Sequence, residues 1–355
     1  MKIIHRSIFK ELVLAFILSL VFLNFVLMME KLLRLSRFIS GVGASITDMV
    51  RIIFYLQPQL LLLTIPMGLL LSTLLIYGRL LVDSELVILK SNGLNFKSIS
   101  MPVIMLGILC FLFNLAVSFY IGPKSSRKLR DEIGNIIRIR TPLSIEEGKF
   151  NTSFKDLIVL VKEKLSDNTI KGIFIYDGRN RNEPRILMAK EAKIYVPDGL
   201  NINLCLKEGY IHIARGKNTT ELFFQRYNII LRLESDSLSR KNAELTPPEL
   251  LKEIAKRQKQ SIIPFQLELQ RRLSLPLLCL ILIFFGPPLA LKTGKSGKLG
   301  GLALGLVVVT LYYMLLVYGE NLAKSGKIAH YIGAWTPTVV LATVGLWMFI
   351  RENSR

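Results

Sequence analysis

The stretch "LLLLTIPMGLLLSTLLIY" (residues 60–77) contains no charged side chain. A helix of about 20 apolar residues crosses a hydrocarbon core of about 30 Å. Inside lipid such a helix satisfies its own backbone hydrogen bonds, so no other local structure suits this stretch. The sequence therefore predicts a membrane-spanning helix here.

Five further windows have the same character. They occupy residues 12–29, 101–121, 273–291, 299–318 and 332–350. The first window follows Lys2, Arg6 and Lys10, as a signal peptide would, but its apolar stretch is too long and no small-residue cleavage pattern follows it. We predict six transmembrane helices, with both termini on one side of the membrane.

The charge distribution predicts the orientation. The short loops on the side of the termini carry eleven Lys and Arg residues, and those on the other side carry six. The positive-inside rule places the termini in the cytoplasm and the long segment between the third and fourth spans outside it.

The chain has 355 residues, of which 51% are hydrophobic, and its formal net charge is +20. The mean hydropathy of +0.43 is too high for a soluble domain. The positive charge favours contact with anionic lipid or a phosphate-bearing substrate. Nucleic acid is not expected, because the basic residues are spread over both membrane faces. Cys110, Cys205 and Cys279 do not form a disulfide framework.

The external segment, residues 123–268, has a different residue pattern from the membrane windows. It contains β-branched and aromatic runs separated by turn clusters at residues 156–163, 170–177, 185–196, 201–214 and 220–233. This pattern predicts an antiparallel sandwich or barrel whose strands are half buried. The surplus of apolar residues is compatible with a lined groove and with a thick ordinary core.

The segment closes with "LTPPELLKEIAKRQKQ" (residues 245–260). Thr246 is a good N-cap, and prolines occupy the first turn, as is typical of a helix start. This amphipathic helix leads into the fourth span. It is either a lever between domain and membrane or a packed connector.

Residues 294–296, Gly-Lys-Ser, have the form of the end of a phosphate-binding loop. The full motif requires a further glycine at position 289, which is Leu289, so a basic turn between two helices is the better interpretation. His5, His212 and His330 are too scattered for a metal cluster or a nucleophile–base pair. We predict no catalytic residue, no metal site and no cofactor site in this chain.

A short helix is predicted after the second span, at about residues 83–92. Asp83 or Ser84 is placed to cap it, and Asn92-Gly93 supplies a left-handed stop. The acidic first turn disfavours contact with an anionic leaflet, so docking onto a cytoplasmic partner is favoured over an interfacial helix. The candidate contact residues are Asp83, Ser84, Glu85, Leu86 and Leu89.

A basic cluster lies at the outer end of the first span. Lys31, Arg34 and Arg37 recur there at helical spacing. Cations commonly end a membrane helix by reaching toward the interface. Their external position opposes the positive-inside trend, so binding of an anionic ligand is the alternative.

Several motifs together carry a family resemblance. They are "PQLLLLTIPMGLLLSTLLIYGRLLVDSELVILKSNGL" (58–94), "EGKF" (147–150), "LQRRLSLPLLCLILIFFGPPLAL" (269–291) and "GAWTP" (333–337). In this order the chain resembles, along nearly its whole length, the lipopolysaccharide export permeases of the LptF/LptG (YjgP/YjgQ) family. The region "MEKLLRLS" (29–36) and the proline-containing second span are closer to the F-type subunit.

The resemblance implies an α-helical membrane protein with six transmembrane helices and a periplasmic antiparallel β-jellyroll inserted between helices 3 and 4. The implied division is residues 1–122 with a coupling helix at about 83–92, residues 123–268 for the jellyroll and its connecting helix, and residues 269–355. The implied location is the bacterial inner membrane, with multiple spans.

The resemblance also implies a transport function. Such a chain is the permease subunit of an ABC transporter, which extracts lipopolysaccharide from the inner membrane and passes it to a periplasmic jellyroll bridge toward the outer membrane. The partners would be a G-type sister permease and a cytoplasmic ATPase dimer that uses ATP with magnesium. Glu85 matches the acidic coupling residue, and Lys31 and Arg34 match basic positions that face lipid A phosphates.

Two other classes remain open at this stage. A non-transporting scaffold that transmits ATPase motion would share the coupling helix but would need no lipid cavity. An envelope enzyme that modifies glycolipids would need a convergent acid–base constellation, and none is readable in the sequence.

Overall fold

The computed structural model describes residues 2–42, 45–144, 147–148, 150–154, 157–166, 169–179, 184–195, 201–215, 218–232, 241–256, 259–293 and 297–354.

Helices precede and follow a β insertion. The N-terminal helices are α1 (Lys2–Val42), α2 (Ile46–Val82), α3 (Glu85–Ser91), α4 (Phe96–Ile99), α5 (Met101–Ala116), a π-helical turn (Val117–Ile121) and α6 (Gly122–Ser144). The C-terminal helices are a 3₁₀ turn (Lys241–Glu244), α7 (Pro247–Lys256), α8 (Lys259–Thr293), α9 (Gly297–Lys324) and α10 (His330–Asn353).

Six segments of these helices are long and apolar enough to cross a membrane. They are Ile4–Leu33, Ile46–Val82, Met101–Ile136, Ile262–Lys292, Gly300–Lys324 and His330–Asn353. The six predicted spans are confirmed, and the helices extend beyond the predicted windows. Hydropathy marks only the lipid-facing part of a helix, whereas backbone hydrogen bonding continues into its polar ends.

The insertion is a single antiparallel sheet in the order β1-β2-β3-β4-β5-β6. The strands are β1 (Phe150–Phe154), β2 (Leu157–Ser166), β3 (Thr169–Asp177), β4 (Arg185–Tyr195), β5 (Asn201–Arg215) and β6 (Asn218–Arg232). The five predicted strands are confirmed, in agreement with the expected jellyroll-like β domain. The sequence prediction did not include β1, because "FNTSF" is short and its centre is polar.

The chain forms two compact units. One comprises Met1–Met28, Gln57–Lys124 and Lys241–Arg355, and the other comprises Met29–Leu56 and Ser125–Arg240. The core of the second unit joins one face of the sheet to helical residues such as Ile52, Leu129 and Ile133. The predicted division at residues 122 and 268 stays a prediction.

In the first unit, helices approach each other closely at small residues. A Cβ built on Gly319 in α9 would collide with the backbone carbonyl of Gly333 in α10, and a Cβ on Gly333 would collide with that of Gly319. Small residues of this kind permit backbone contact between membrane helices, where packing rather than hydrophobicity drives association. This pair therefore fixes the crossing of α9 and α10.

Candidate functional site

The short helix α3 begins at Glu85, close to where the sequence predicts it. Its N-cap position is Ser84, which has a φ of 57° and makes no side-chain capping hydrogen bond. The predicted side-chain cap by Asp83 or Ser84 is therefore wrong. An N-cap oxygen reaches the free N–H groups of the first turn from extended backbone, and Ser84 is left-handed instead.

The predicted stop of α3 is confirmed. Gly93 has a φ of 82°. Its N–H donates to the carbonyl of Lys90 at 3.0 Å, and the N–H of Leu94 donates to that of Leu89 at 3.3 Å. This pair of bonds is the Schellman arrangement, in which a left-handed glycine satisfies the last carbonyls of a helix.

The two faces of α3 differ in their exposure to solvent. Leu86 is 2% exposed and Leu89 is partly buried, and both pack into the helical core of the first unit. Val87 and Ile88 are 55% and 57% exposed. Of the candidate contact residues, Asp83, Ser84 and Glu85 are exposed, whereas Leu86 and Leu89 attach the helix to its own chain.

The segment from residue 83 to residue 100, here called the loop platform, is attached to the last turn of α10. The Nζ of Lys90 donates to Oε1 of Glu352 at 2.7 Å. The N–H of Lys97 donates to Oδ1 of Asn353 at 3.3 Å. The rings of Phe96 and Phe349 lie 5.4 Å apart, so an aromatic contact accompanies the polar ones.

The loop platform is also attached to the first two helices. The Nε2 of His5 donates to the carbonyl of Ser98 at 2.9 Å. Arg79, near the end of α2, forms ion pairs with Glu11 of α1 at 2.5 Å and with Asp83 at 3.9 Å. The loop platform is therefore in contact with α1, α2 and α10.

Of the predicted basic cluster, the structure describes one side chain. Lys31 is partly buried, and its Nζ lies 3.9 Å from Oε1 of Glu30. The side chains of Arg34 and Arg37 lie outside the described residues. The binding of an anionic ligand by this cluster stays a prediction.

One row of residues crosses the sheet on the face opposite its packed core. Strand register places these side chains opposite one another in sequence across β1 to β6. We call this row the outer ladder: Phe150, Leu160, Phe174, Met188, Tyr210 and Phe223. Five strand-to-strand steps make it about 24 Å long.

The outer ladder is largely apolar, and three of its six side chains are exposed. Phe150, Met188 and Phe223 are 66%, 36% and 81% exposed. The Tyr210 hydroxyl donates to the sulfur of Met188 at 2.8 Å, and its ring lies 6.1 Å from that of Phe223. The sequence left a lined groove and an ordinary core as alternatives, and the sheet has a packed core on one face and an apolar row on the other.

One polar pair, Asp177 and Arg179, lies at the end of β3 and contacts β6. Arg179 donates to both oxygens of Asp177, at 2.8 and 2.5 Å, and to the carbonyl of Ile230 in β6 at 3.1 Å. Burial alone raises the pKa of Asp177, but the hydrogen bonds and charge of Arg179 outweigh it and hold that pKa below its ordinary value.

The described residues form no metal site. Within the described ranges, no group of three His, Cys, Asp or Glu side chains is placed to hold a metal ion. His212 pairs with Glu221 at 3.4 Å on the sheet, and His5 belongs to the loop platform. Residues 294–296 lie outside the described part of the chain.

These features define a class of protein: a polytopic membrane protein with a β insertion between its third and fourth spans and a loop platform fastened to three of its helices. The chain belongs to the lipopolysaccharide export system permease family LptF/LptG, whose model matches residues 6–351. The resemblance seen in the sequence is thereby confirmed, and the match does not resolve the F type from the G type.

A second comparison covers the same length. The chain is 25% identical over 331 residues to the "Uncharacterized protein RP871" of Rickettsia prowazekii (strain Madrid E), and the alignment covers 88% of each chain. The two chains therefore correspond along almost all of their lengths. Membership of the permease family indicates a transport subunit rather than an enzyme.

Proposed function

We propose that this chain is the transmembrane subunit of an ABC transporter that extracts lipopolysaccharide from the bacterial inner membrane. Its β insertion would pass the lipid to a periplasmic jellyroll bridge that leads toward the outer membrane. Family membership over residues 6–351 supports the substrate class. The outer ladder is the observation that supports the proposed transfer of lipid along the β insertion.

A lipid leaving the bilayer needs an apolar surface along its whole route. Exposing one methylene group to water costs about 0.8 kcal/mol, so several acyl chains cannot leave unaided. The outer ladder is about 24 Å long, whereas one leaflet of hydrocarbon is about 15 Å thick. Its open aromatic and thioether side chains therefore extend far enough to shield an acyl chain.

The distribution of charge supports the proposed location. The excess of Lys and Arg on the side of the termini supports cytoplasmic termini and a periplasmic β insertion. This orientation places the loop platform in the cytoplasm. The division at residues 122 and 268 is proposed as the boundary between membrane and periplasmic parts.

The energy source is a partner. The exposed side of α3, with Glu85 at its first turn, would dock onto a cytoplasmic ATPase dimer that uses ATP with magnesium. Asp83 and Ser84 would border that contact, while Leu86 and Leu89 would support it from inside. A G-type sister permease would complete the lipid cavity, and Lys31, Arg34 and Arg37 would face the phosphates of lipid A.

A photo-crosslinking experiment tests the transfer step. A photoreactive residue at Met188 (36% exposed, in the outer ladder) should capture glycolipid in exporting cells. The neighbouring position Leu187 is 1% exposed and faces the packed core, so it should capture none. Normal export without any adduct at Met188 or Phe174 would favour the scaffold alternative and contradict lipid transfer along this face.

The partner assignment has its own test. Purification of the chain from membranes in mild detergent should bring along a second permease, an ATPase dimer and bound lipopolysaccharide. Substituting Glu85→Arg should release the ATPase and leave the second permease bound. Retention of the ATPase by this variant would contradict the proposed coupling role of Glu85.

A further inference from the structure

Arg272 lies in α8, within the candidate span Ile262–Lys292, and is 4% exposed. Its guanidinium donates to the backbone carbonyls of Asn242 at 3.2 Å, Ala243 at 3.0 Å and Leu245. It also donates to Oε1 of Glu268 at 3.3 Å, one turn earlier in α8. A membrane helix is thus attached directly to the backbone that follows the β insertion.

A buried arginine is a costly way to pack a helix. Removing a guanidinium from water costs several kcal/mol even in relaxed protein, and an apolar residue of similar volume is often as stable or more so. A contribution to stability therefore does not explain why Arg272 is buried here. The better explanation is that it connects α8 to the backbone of residues 242–245. Its fork of donors fits the carbonyl groups that a short 3₁₀ turn leaves without partners.

The backbone of Arg272 is held from the opposite side. Its carbonyl would ordinarily accept the N–H of residue 276, but that residue is Pro276 and has no N–H. The hydroxyl of Ser118 donates to this carbonyl at 3.0 Å instead. Ser118 is 2% exposed and belongs to the π-helical turn Val117–Ile121 of the third span.

Arg272 thus lies where two irregular membrane helices meet. Proline and π-helical turns are the usual places at which a helix bends, and π-helical turns occur frequently at functional sites. The hydroxyl of Ser118 links the π-helical turn of the third span to Arg272, one turn before Pro276 in the fourth span. Arg272, through its side chain, holds the segment that leaves the sheet.

The held segment has hydrogen bonds of its own. Oε2 of Glu249 accepts the N–H of Thr246 at 2.7 Å and its hydroxyl at 2.8 Å, which fixes the start of α7. Leu250, in the first turn of α7, is fully buried. The N–H of Leu250 donates to the carbonyl of Thr246 at 2.8 Å and α7 begins at the next residue, so the predicted N-cap position of Thr246 is confirmed.

We propose that Arg272 is a positioning residue that makes the segment after β6 move with the fourth span. When the spans rearrange, the fourth span carries the Arg272 side chain, and the carbonyls of residues 242–245 follow. The backbone that comes after the β insertion in the chain is then moved in step with the fourth span. This inference rests on the proposed function, because it assigns the step that links helix motion to lipid transfer.

The test measures coupling in the complete transporter, purified with its ATPase and reconstituted in proteoliposomes that contain lipopolysaccharide. Arg272→Gln should retain assembly and ATP hydrolysis within about twofold. It should lower lipid released per ATP hydrolysed by about tenfold, the effect of losing a hydrogen bond from a charged group. Arg272→Lys, which keeps the charge but loses the fork, should give an intermediate ratio.

The matched control is Arg271→Gln. Arg271 is the preceding residue of the same helix and lies 4.0 Å from Glu320. This variant should keep the wild-type ratio of lipid released to ATP hydrolysed. Ser118→Ala should lower the ratio, because it leaves the carbonyl of Arg272 without its donor.

The outcomes separate the two proposals. If the wild-type complex hydrolyses ATP and releases no lipid, the proposed function fails. If the wild type releases lipid and Arg272→Gln releases the same amount per ATP, the positioning role is overturned while the proposed function stands. If Arg272→Gln does not assemble, Ser118→Ala decides the matter, and an unchanged ratio in that variant overturns the role.

Discussion

The Nζ of Lys90 lies 2.7 Å from Oε1 of Glu352, although the two residues are 262 positions apart in the sequence. The pair joins α3 to the last turn of α10 and is only partly exposed on both sides. The end of the chain is thereby part of the loop platform. This contact links α3 directly to the sixth span.

A charge-swap experiment tests this link. Lys90→Glu places two carboxylates together and should weaken ATPase-dependent lipid release severalfold, with a loss of stability of about 1 kcal/mol. Lys90→Glu combined with Glu352→Lys should restore most of the release. Lys97→Glu, on an exposed side chain of the same platform, is the control and should change little. Failure of the double variant to recover would argue against the pair.

The two faces of α3 should respond differently to substitution. Leu86→Ala removes a side chain that is 2% exposed and should cost about 2–5 kcal/mol of unfolding free energy. Ile88→Ala, on a residue that is 57% exposed, should leave stability unchanged and lower ATPase association. Thermal unfolding and co-purification measure the two effects. Equal melting temperatures for both variants would contradict the assignment of faces.

The glycine pair between α9 and α10 should tolerate no side chain. Gly333→Ala forces a Cβ against the backbone of Gly319 and should destabilise the protein by roughly 1–3 kcal/mol. Gly78→Ala is the matched control, because a Cβ there meets nothing within 4 Å. An alanine inside a helix is about 0.5–1 kcal/mol more favourable than glycine, so this variant should be neutral or stabilising. Unfolding in detergent compares the two.

The Asp177–Arg179 pair predicts a pH dependence. Because Arg179 lowers the pKa of Asp177 in the folded state, the pair contributes stability above the unfolded pKa of about 3.9 and loses it as pH falls through the folded value. Asp177→Asn should therefore destabilise the sheet by about 1 kcal/mol at pH 7 and by less at pH 3, where the carboxyl group has begun to be protonated in the unfolded state.

Denaturant titration followed by circular dichroism at both pH values measures this difference. Glu208→Gln serves as the control, because Glu208 pairs with Lys190 at 2.9 Å on an exposed part of the sheet. That variant should show no resolvable change at pH 7. A destabilisation by Asp177→Asn that persists undiminished at pH 3 would show that the charge of Asp177 is not responsible.

Local patterns in the sequence were enough to predict the membrane spans and the end of α3 at Gly93. Hydropathy and the tolerance of glycine for left-handed backbone both act within a few residues. The cap at Ser84 was predicted incorrectly, since the backbone conformation there depends on how α2 ends. Contacts such as Lys90 with Glu352, or Ser118 with Arg272, join residues more than a hundred positions apart, and a single sequence contains no local sign of them.

The order of the strands affects how the protein is made. Each strand pairs with its neighbour in the chain, and every residue of the unit that contains the sheet lies before residue 241. Short separations between contacting residues favour rapid folding. All residues of the unit have thus been synthesised once residue 240 has been added. Biogenesis can then complete this half of the protein before the final three helices enter the membrane.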